Sequence, residues 1–294
     1  YQDYLPNYSR FYTTNVVSTA LIYELIEREK LGIEKVIVAS SQAALGEGLY
    51  LDADEKRVLP GLRSNEQLAK GLWEIQPRKG ERGPLKWTKT DETVANPQNP
   101  YGMSKIAEEQ AALNLGRRCG VPSVAMRYSI VQGPRQSFYN SYSGACRLFC
   151  LSFHLGREPM IYEDGQQVRD FVNIDDVVDA NVRVLEDSRA DYEMFNVGGG
   201  EAVTVVQFAE TVARVFGVES YRAVPCAKYR FGDTRHIFSD ISKLKALGWS
   251  PKRTVVDSVT AYRDWLRNEE ATQDILDYGN AQMAKLGVVR DVAK

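Results

Sequence analysis

Apolar residues recur at helical spacing from Thr13 to Glu29. Val16, Val17, Ala20, Leu21, Leu25 and Ile26 predict an amphipathic helix over 13–29, stopped by Gly32. The pattern then changes to a continuous apolar run, Val36-Ile37-Val38-Ala39, that closes on Ser40-Ser41. A run of this kind reads as a buried parallel strand opening into a loop at its C-terminal end. A second helix is predicted from about Tyr101 to Arg118, ended by Gly120 and Pro122, and a second buried strand over 123–128, broken by Gly133-Pro134. The same alternation returns further on. Asp170–Ile174 predicts a strand, 175–186 a helix and Phe195–Val197 a strand. Thr204 with Gln207 forms a capping box for a helix whose apolar face is Val205, Phe208, Val212 and Val215. A last helix is predicted over 253–268, with Val255, Val259, Tyr262, Trp265 and Leu266 on one side. Strands alternating with helices predict an α/β fold with a doubly wound parallel sheet, whose ligands bind at the carboxyl ends of the strands. Residues 46–100 fall outside this rhythm. They are polar and rich in Gly, Pro and charge, which predicts a long loop, functional or partly disordered.

Composition narrows the classes. A chain of 294 residues suits one large domain or two intimately joined ones, and 44% hydrophobic residues suffice for a sizeable core. A net charge of −2 makes no electrostatic case for nucleic acid or an anionic membrane. No segment reaches the ~18 consecutive apolar residues of a membrane helix. The opening Tyr1-Gln2-Asp3-Tyr4 lacks the basic and apolar regions of a signal peptide and begins without Met, so the expectation is a processed chain or one whose beginning is missing. Cys119, Cys146, Cys150 and Cys226 do not have the spacing of a disulfide framework, which predicts free thiols in a cytoplasmic protein. Cys146, Cys150 and His154 share one face of a helix at four-residue spacing. A structural metal site needs four ligands and no fourth is evident, so the expectation is a core-facing stripe and no metal.

The strongest chemical signal is Tyr101-Gly102-Met103-Ser104-Lys105. Positions i and i+4 of a helix share a face, which brings the Lys105 ammonium toward the Tyr101 phenol. A neighbouring cation favours the phenolate, as a general base at neutral pH requires. A hydroxyl at the end of the upstream strand would complete a proton-transfer triad.

Five landmarks stand in order: Val36–Ser41, Tyr101–Lys105, Arg127-Tyr128 with Gly133-Pro134-Arg135, Val168–Asp176, and Arg230-Phe231-Gly232-Asp233-Thr234-Arg235 with Leu247-Gly248-Trp249. Together they resemble the extended short-chain dehydrogenases/reductases and, within them, the NAD-dependent epimerase/dehydratase family acting on nucleotide sugars. The insertion ending in Trp73-Glu74, Thr90-Asp91-Glu92, Pro97 and Pro100 resembles that of dTDP-L-rhamnose 4-epimerase-like members, without the paired cysteines some of them carry. The resemblance implies a Rossmann-like sheet, N-terminally truncated, from 1–134 and about 168–200, and a smaller C-terminal α/β substrate domain from about 135–167 and 201–294. It implies NAD as cofactor and a nucleotide-diphosphate sugar as substrate. It makes Tyr101 the base, has Lys105 assist it and bind the nicotinamide ribose, and has Ser41 bond the reacting sugar oxygen. Asn15, Ser40 and Tyr128 join Ser41, Tyr101 and Lys105 on the cofactor side, and Gln42, Arg135, Arg169 and Arg235 join Ser41 on the substrate side. It further implies a homodimer through helices 13–29 and 101–118.

The chain departs from the family pattern in places. The G-x-x-G-x-x-G loop and the acidic residue after it are absent, which would leave out roughly 70 to 80 residues, two βα units with their loops, and predicts open strand edges and poor folding of the 294 residues alone. Phe195-Asn196-Val197-Gly198-Gly199-Gly200, with Glu219 about 20 residues on, imitates a dinucleotide loop; because Val203 takes the third glycine position, a tight turn is expected there. Ile130 stands where many members have an asparagine, and Leu45 where a tyrosine is common. The activity implied is epimerisation through a 4-keto sugar. The alternatives are a 4,6-dehydratase or reductase, and a non-catalytic fragment or NAD-binding scaffold. Gln42-Ala43 in place of an Asp-Glu pair disfavours the dehydratase.

Overall fold

The computed structural model describes residues 7–137, 144–270 and 273–293. Three helical stretches, Tyr8–Tyr12, Thr13–Val17 and Ser18–Arg28, run on as one rod, α1, whose middle stretch is a π-helix. The rod starts earlier than the periodicity predicts, and it faces differently. Thr19, Tyr23 and Ile26 point into the core, whereas Val17, Leu21, Ile22 and Leu25 are exposed. The apolar stripe read from the sequence thus looks largely away from the chain's own interior.

The sheet that positions the site has three parallel strands in the order β1 (Val36–Ser41), β5 (Ser123–Tyr128) and β8 (Met194–Val197). Helices cover both faces. Tyr23, Ile26, Val38, Ala112 and Ala125 form the core under α1 and helix α3 (Pro100–Cys119). Val124, Met126, Val177, Ala180, Val184 and Phe195 form the opposite core under helix α5 (Ile174–Glu186). Alternate residues of β5 therefore serve opposite cores, as strand geometry requires. Helix α3 begins where Pro100 occupies the first turn and the Asn99 side chain accepts the Gly102 N–H, and it ends at Gly120, whose left-handed backbone (φ 69°) a side chain would strain.

Residues 46–100 are not a structureless loop. Strand β2 (Leu49–Leu51) pairs antiparallel with β3 (Arg57–Val58) and β4 (Lys86–Thr88), and a short helix α2 (Asn65–Ala69) follows β3. Tyr50, Val58 and Ile75 give the unit a small core of its own. High local polarity hid three short strands, because only one residue in two of a surface strand need be apolar.

A second sheet joins β6 (Ile130–Gln132) parallel to β7 (Val168–Asn173), and β7 antiparallel to β9 (Ala202–Thr204). The core beside it gathers Cys146, Phe149, Cys150, Phe171, Phe208, Val212, Val259, Tyr262 and Leu266. These come from helices α4 (Ala145–His154), α6 (Val205–Val215) and α8 (Val255–Leu266) and from β7, with the predicted capping box present on α6. The short helix α7 (Ser242–Lys245) lies between α6 and α8, and α9 (Gln273–Lys285) follows α8. Strand β10 (Lys228–Arg230) pairs antiparallel with β11 (Val289–Asp291). Cys146 and Cys150 lie in the core with sulfurs 3.9 Å apart while His154 is exposed, so this helix face packs instead of gathering ligands. Among the described residues no three His, Cys, Asp or Glu side chains converge to hold a metal, and no helix is long and apolar enough to cross a membrane. Gly198–Gly200 make a tight turn against β7. The Gly199 N–H donates to Asp170, and a Cβ there would stand 1.8 Å from the Phe171 carbonyl oxygen.

Candidate active site

The parallel register sets Ser41 beside Tyr128, and Tyr128 beside Val197, at the carboxyl ends of the strands. A cavity of about 530 Å³ opens there, within the range of small-ligand sites. Ser41, Gln42, Tyr101 and Tyr128 line it, together with Arg169, Arg230 and Thr234. Phe149, Leu276 and Met283 contribute apolar wall.

Tyr101 lies in the first turn of α3. Its position depends on Gly102, where an added Cβ would come within 2.5 Å of the Ala43 carbonyl oxygen. The helix start therefore rests directly on the turn that follows Ser41. The Ser41 hydroxyl oxygen accepts the Ala43 N–H at 3.1 Å, which leaves its hydrogen to donate toward the cavity. The Lys105 ammonium is 5.8 Å from the Tyr101 ring centre. It donates to the Ala39 carbonyl at 2.8 Å and to Glu108 at 2.7 Å, so its charge is shared with a carboxylate three residues on in the same helix. Burial raises the Glu108 carboxyl, and the Lys105 bond opposes that.

The predicted supporting residues divide. Asn15 donates to the Ser104 hydroxyl at 2.8 Å, bracing the helix from behind. Ser40 is buried and bonds Glu109, whose carboxylate also takes a two-point contact from Arg127, at 2.7 Å from both Nε and Nη2. Ser40 therefore faces the interior while its neighbour Ser41 faces the cavity, the alternation of a strand. The Tyr128 hydroxyl donates to Asn181 at 2.7 Å, and burial raises its phenol. The Gln42 amide nitrogen is held by Ser129 and Ser239.

The arginines are sorted by their partners. Arg169 lines the cavity and donates to the carbonyls of Val168, Thr234 and Arg235, at 2.9, 2.6 and 3.1 Å. No carboxylate among the described residues lies within ion-pair distance of it, and burial pulls its guanidinium below its ordinary value. A half-buried cation of this kind favours an anionic ligand. Arg235 does not reach the cavity. It is 1% exposed and bonds Glu74, Glu163 and Asp164, so the diphosphate contact implied for it is not what the structure places there. Arg230, at the head of the same motif, lines the cavity instead, with Asp233 at 2.8 Å. Sequence reasoning passed over it, although a second arginine in R-F-G-D-T-R was the available signal. Arg135 is exposed, on left-handed backbone (φ 68°), and outside the cavity lining. Ile130 does line the cavity, while Leu45 packs with Val94 and Ile237.

A hydroxyl and a phenol at the carboxyl end of a parallel sheet, a lysine beneath the phenol, and in the same cavity an arginine with no carboxylate among the described residues at ion-pair distance are the arrangement of a dehydrogenase-type fold. Residues 74–198 match the model of the NAD dependent epimerase/dehydratase family. The chain is 32% identical over 269 residues to the dTDP-L-rhamnose 4-epimerase of Burkholderia thailandensis, a match spanning 90% of this chain and 71% of the relative. It belongs to that family. A putative UDP-glucose 4-epimerase of Methanocaldococcus jannaschii is 27% identical over 259 residues, covering 88% of this chain and 70% of the relative. Among solved structures, the UDP-glucose 4-epimerase of Thermotoga maritima with UDP-glucose superposes with a TM-score of 0.69 at 28% identity, covering 89% of this chain and 72% of that one.

Proposed function

We propose that this chain carries the catalytic machinery of an NAD-dependent nucleotide-sugar 4-epimerase. The observation that carries the reading is one cavity lined both by Ser41 and Tyr101, backed by Lys105, and by Arg169, which has no carboxylate among the described residues at ion-pair distance. The 4-epimerases similar to this chain support it. The donor set fits a nicotinamide nucleotide: a buried ammonium under a phenol offers a polar anchor for a ribose, and Tyr101 and Lys105 would hold it. NAD bound there would take a hydride from the sugar carbon and return it to the other face.

The chain's own groups manage the proton and the pose. The Tyr101 oxygen accepts the proton of the sugar hydroxyl as the ketone forms and gives it back on re-reduction. Ser41 donates a hydrogen bond to the same oxygen, and Lys105 stabilises the phenolate. Arg169 and Arg230 hold the diphosphate and leave the sugar to turn over between the two hydride steps. A 4,6-dehydratase would need a further acid–base pair after Ser41. Gln42 there is an amide tied to Ser129 and Ser239, which disfavours water elimination. A reductase would accumulate oxidised cofactor, and a scaffold would turn nothing over.

The reading extends to a cytoplasmic homodimer and to the division of the chain into a cofactor-binding part and a substrate part. Exposed Val17, Leu21, Ile22 and Leu25 on α1, near exposed Met103 on α3, supply an apolar surface for two-fold pairing. The functional test is incubation of the NAD-supplied protein with UDP- and dTDP-hexoses, followed by NMR of the sugar. Inversion at C4 is expected; a dehydrated product, or net conversion of supplied NADH to NAD with a reduced sugar, would replace the epimerase reading with its alternatives.

A further inference from the structure

The insertion over 46–100 sends three ionisable side chains to one place. The Glu47 carboxylate, 1% exposed, accepts the backbone N–H of Arg235 at 2.7 Å. Arg63, 4% exposed, forms a two-point bond with Glu163, at 2.8 Å to each oxygen, and donates to the Asp233 carbonyl at 2.7 Å. Glu74 takes the Arg235 guanidinium at 2.9 Å from Nε and reaches His236 Nε2 at 3.1 Å. The segment 233–236 is thereby gripped at a carbonyl, an amide and two side chains by residues of the insertion.

That segment is also what holds Arg169. Two of its three carbonyl acceptors, Thr234 and Arg235, belong to the gripped segment, and Arg230 is tied to the same loop through Asp233. The path runs from the insertion, through the loop backbone, to the two arginines of the cavity. None of the three insertion residues shares the main cavity's lining with Arg169. They act through the loop.

We propose that Glu47, Arg63 and Glu74 are positioning residues, and that the insertion sets the placement of Arg169 and Arg230 for the diphosphate of a nucleoside diphosphate ligand. The proposal rests on the nucleotide-sugar reading for its ligand, but not for its loop geometry. Arg63, and the Arg235 that Glu74 holds, are buried, and removing the partner of a buried charge leaves it uncompensated. A lysine cannot reproduce the two-point fork of Arg63, and a glutamine at 74 loses the charge-assisted bonds to Arg235.

Two variants test it, Arg63→Lys and Glu74→Gln, the second at a side chain 59% exposed, so that at least one is expected to fold. Thermal melts identify the folded variants. Hydrogen exchange of the Arg235 amide reads the loop, and calorimetric titration with UDP, dTDP, uridine and thymidine reads the site. The expected result is faster Arg235 exchange and roughly tenfold weaker nucleoside diphosphate binding, with nucleoside binding unchanged within twofold. In turnover, KM should rise by a similar factor while kcat stays within twofold. Folded variants with wild-type Arg235 exchange would overturn the gripping role. Faster exchange with unchanged UDP and dTDP affinity would overturn its link to the arginines. Wild-type protein that bound neither diphosphate would overturn the nucleotide-sugar reading and the ligand named here, and leave the exchange result to decide the loop on its own.

Discussion

Replacing Glu47 by Gln should change how the protein's stability depends on pH. Glu47 is sealed under the active-site turn, and burial lifts its carboxyl from 4.5 to about 7, with Arg63, the Arg235 N–H and Arg169 pulling down and Glu163 adding to the rise. An unfolded chain releases this proton near 4.5, whereas the folded chain keeps it until about 7. The folded state thus binds more protons across that window, and stability falls as pH rises through it. Each tenfold change in proton affinity is worth about 1.4 kcal/mol, so the whole effect is on the order of 3 kcal/mol. Glutamine keeps an oxygen for the Arg235 N–H and cannot ionise. Urea unfolding of both proteins from pH 4.5 to 8.5 at constant ionic strength is the assay, and other titrating groups cancel in the difference. The variant should gain on the wild type by on the order of 3 kcal/mol between pH 4.5 and 8, then run parallel to it. Stability curves that stay parallel throughout would refute the burial argument. A gain in the opposite direction would mean that the arginines outweigh desolvation.

Other perturbations follow from the same geometry. Tyr101→Phe should abolish epimerisation while the circular dichroism spectrum and melting point stay near wild type, since the hydroxyl is the part assigned to chemistry. Gly102→Ala places a methyl against the Ala43 carbonyl, which should displace Tyr101 and lower kcat roughly 10- to 100-fold in a protein that still folds. Arg127→Met strands the buried Glu109, and urea unfolding should show a loss of about 3–5 kcal/mol. Thr204→Ala removes the cap of α6 and should cost about 1 kcal/mol in the same measurement, without effect on turnover.

The parts legible in the sequence are those governed by local spacing. The runs over 36–41 and 123–128 are strands because apolar β-branched stretches between helices have nowhere to pack but a buried sheet. Tyr101 and Lys105 come to one helix face by period alone, and Thr204 with Gln207 caps a helix by contacts three residues apart. What a stripe packs against is not local. The apolar stripe of α1 is real, yet much of it faces outward, because the sheet took the face bearing Tyr23 and Ile26.

The amino-acid sequence by itself determined the alternating α/β rhythm outside 46–100 and the shared helix face of Tyr101 and Lys105, since each depends on residues near one another in the chain, while Ser41, 60 residues from Tyr101, entered through the family resemblance. Only the tertiary structure decided which of these groups share a cavity. It turned Ser41 toward the cavity and Ser40 inward, and among the described residues it left Arg169 with no carboxylate at ion-pair distance. It also separated two arginines five residues apart, sealing Arg235 among Glu74, Glu163 and Asp164 and leaving Arg230 at the cavity wall. The physical reason is that a guanidinium is committed by the carboxylates within reach of it. For Arg235 those come from positions 71 to 161 residues away, a distance that no local pattern encodes.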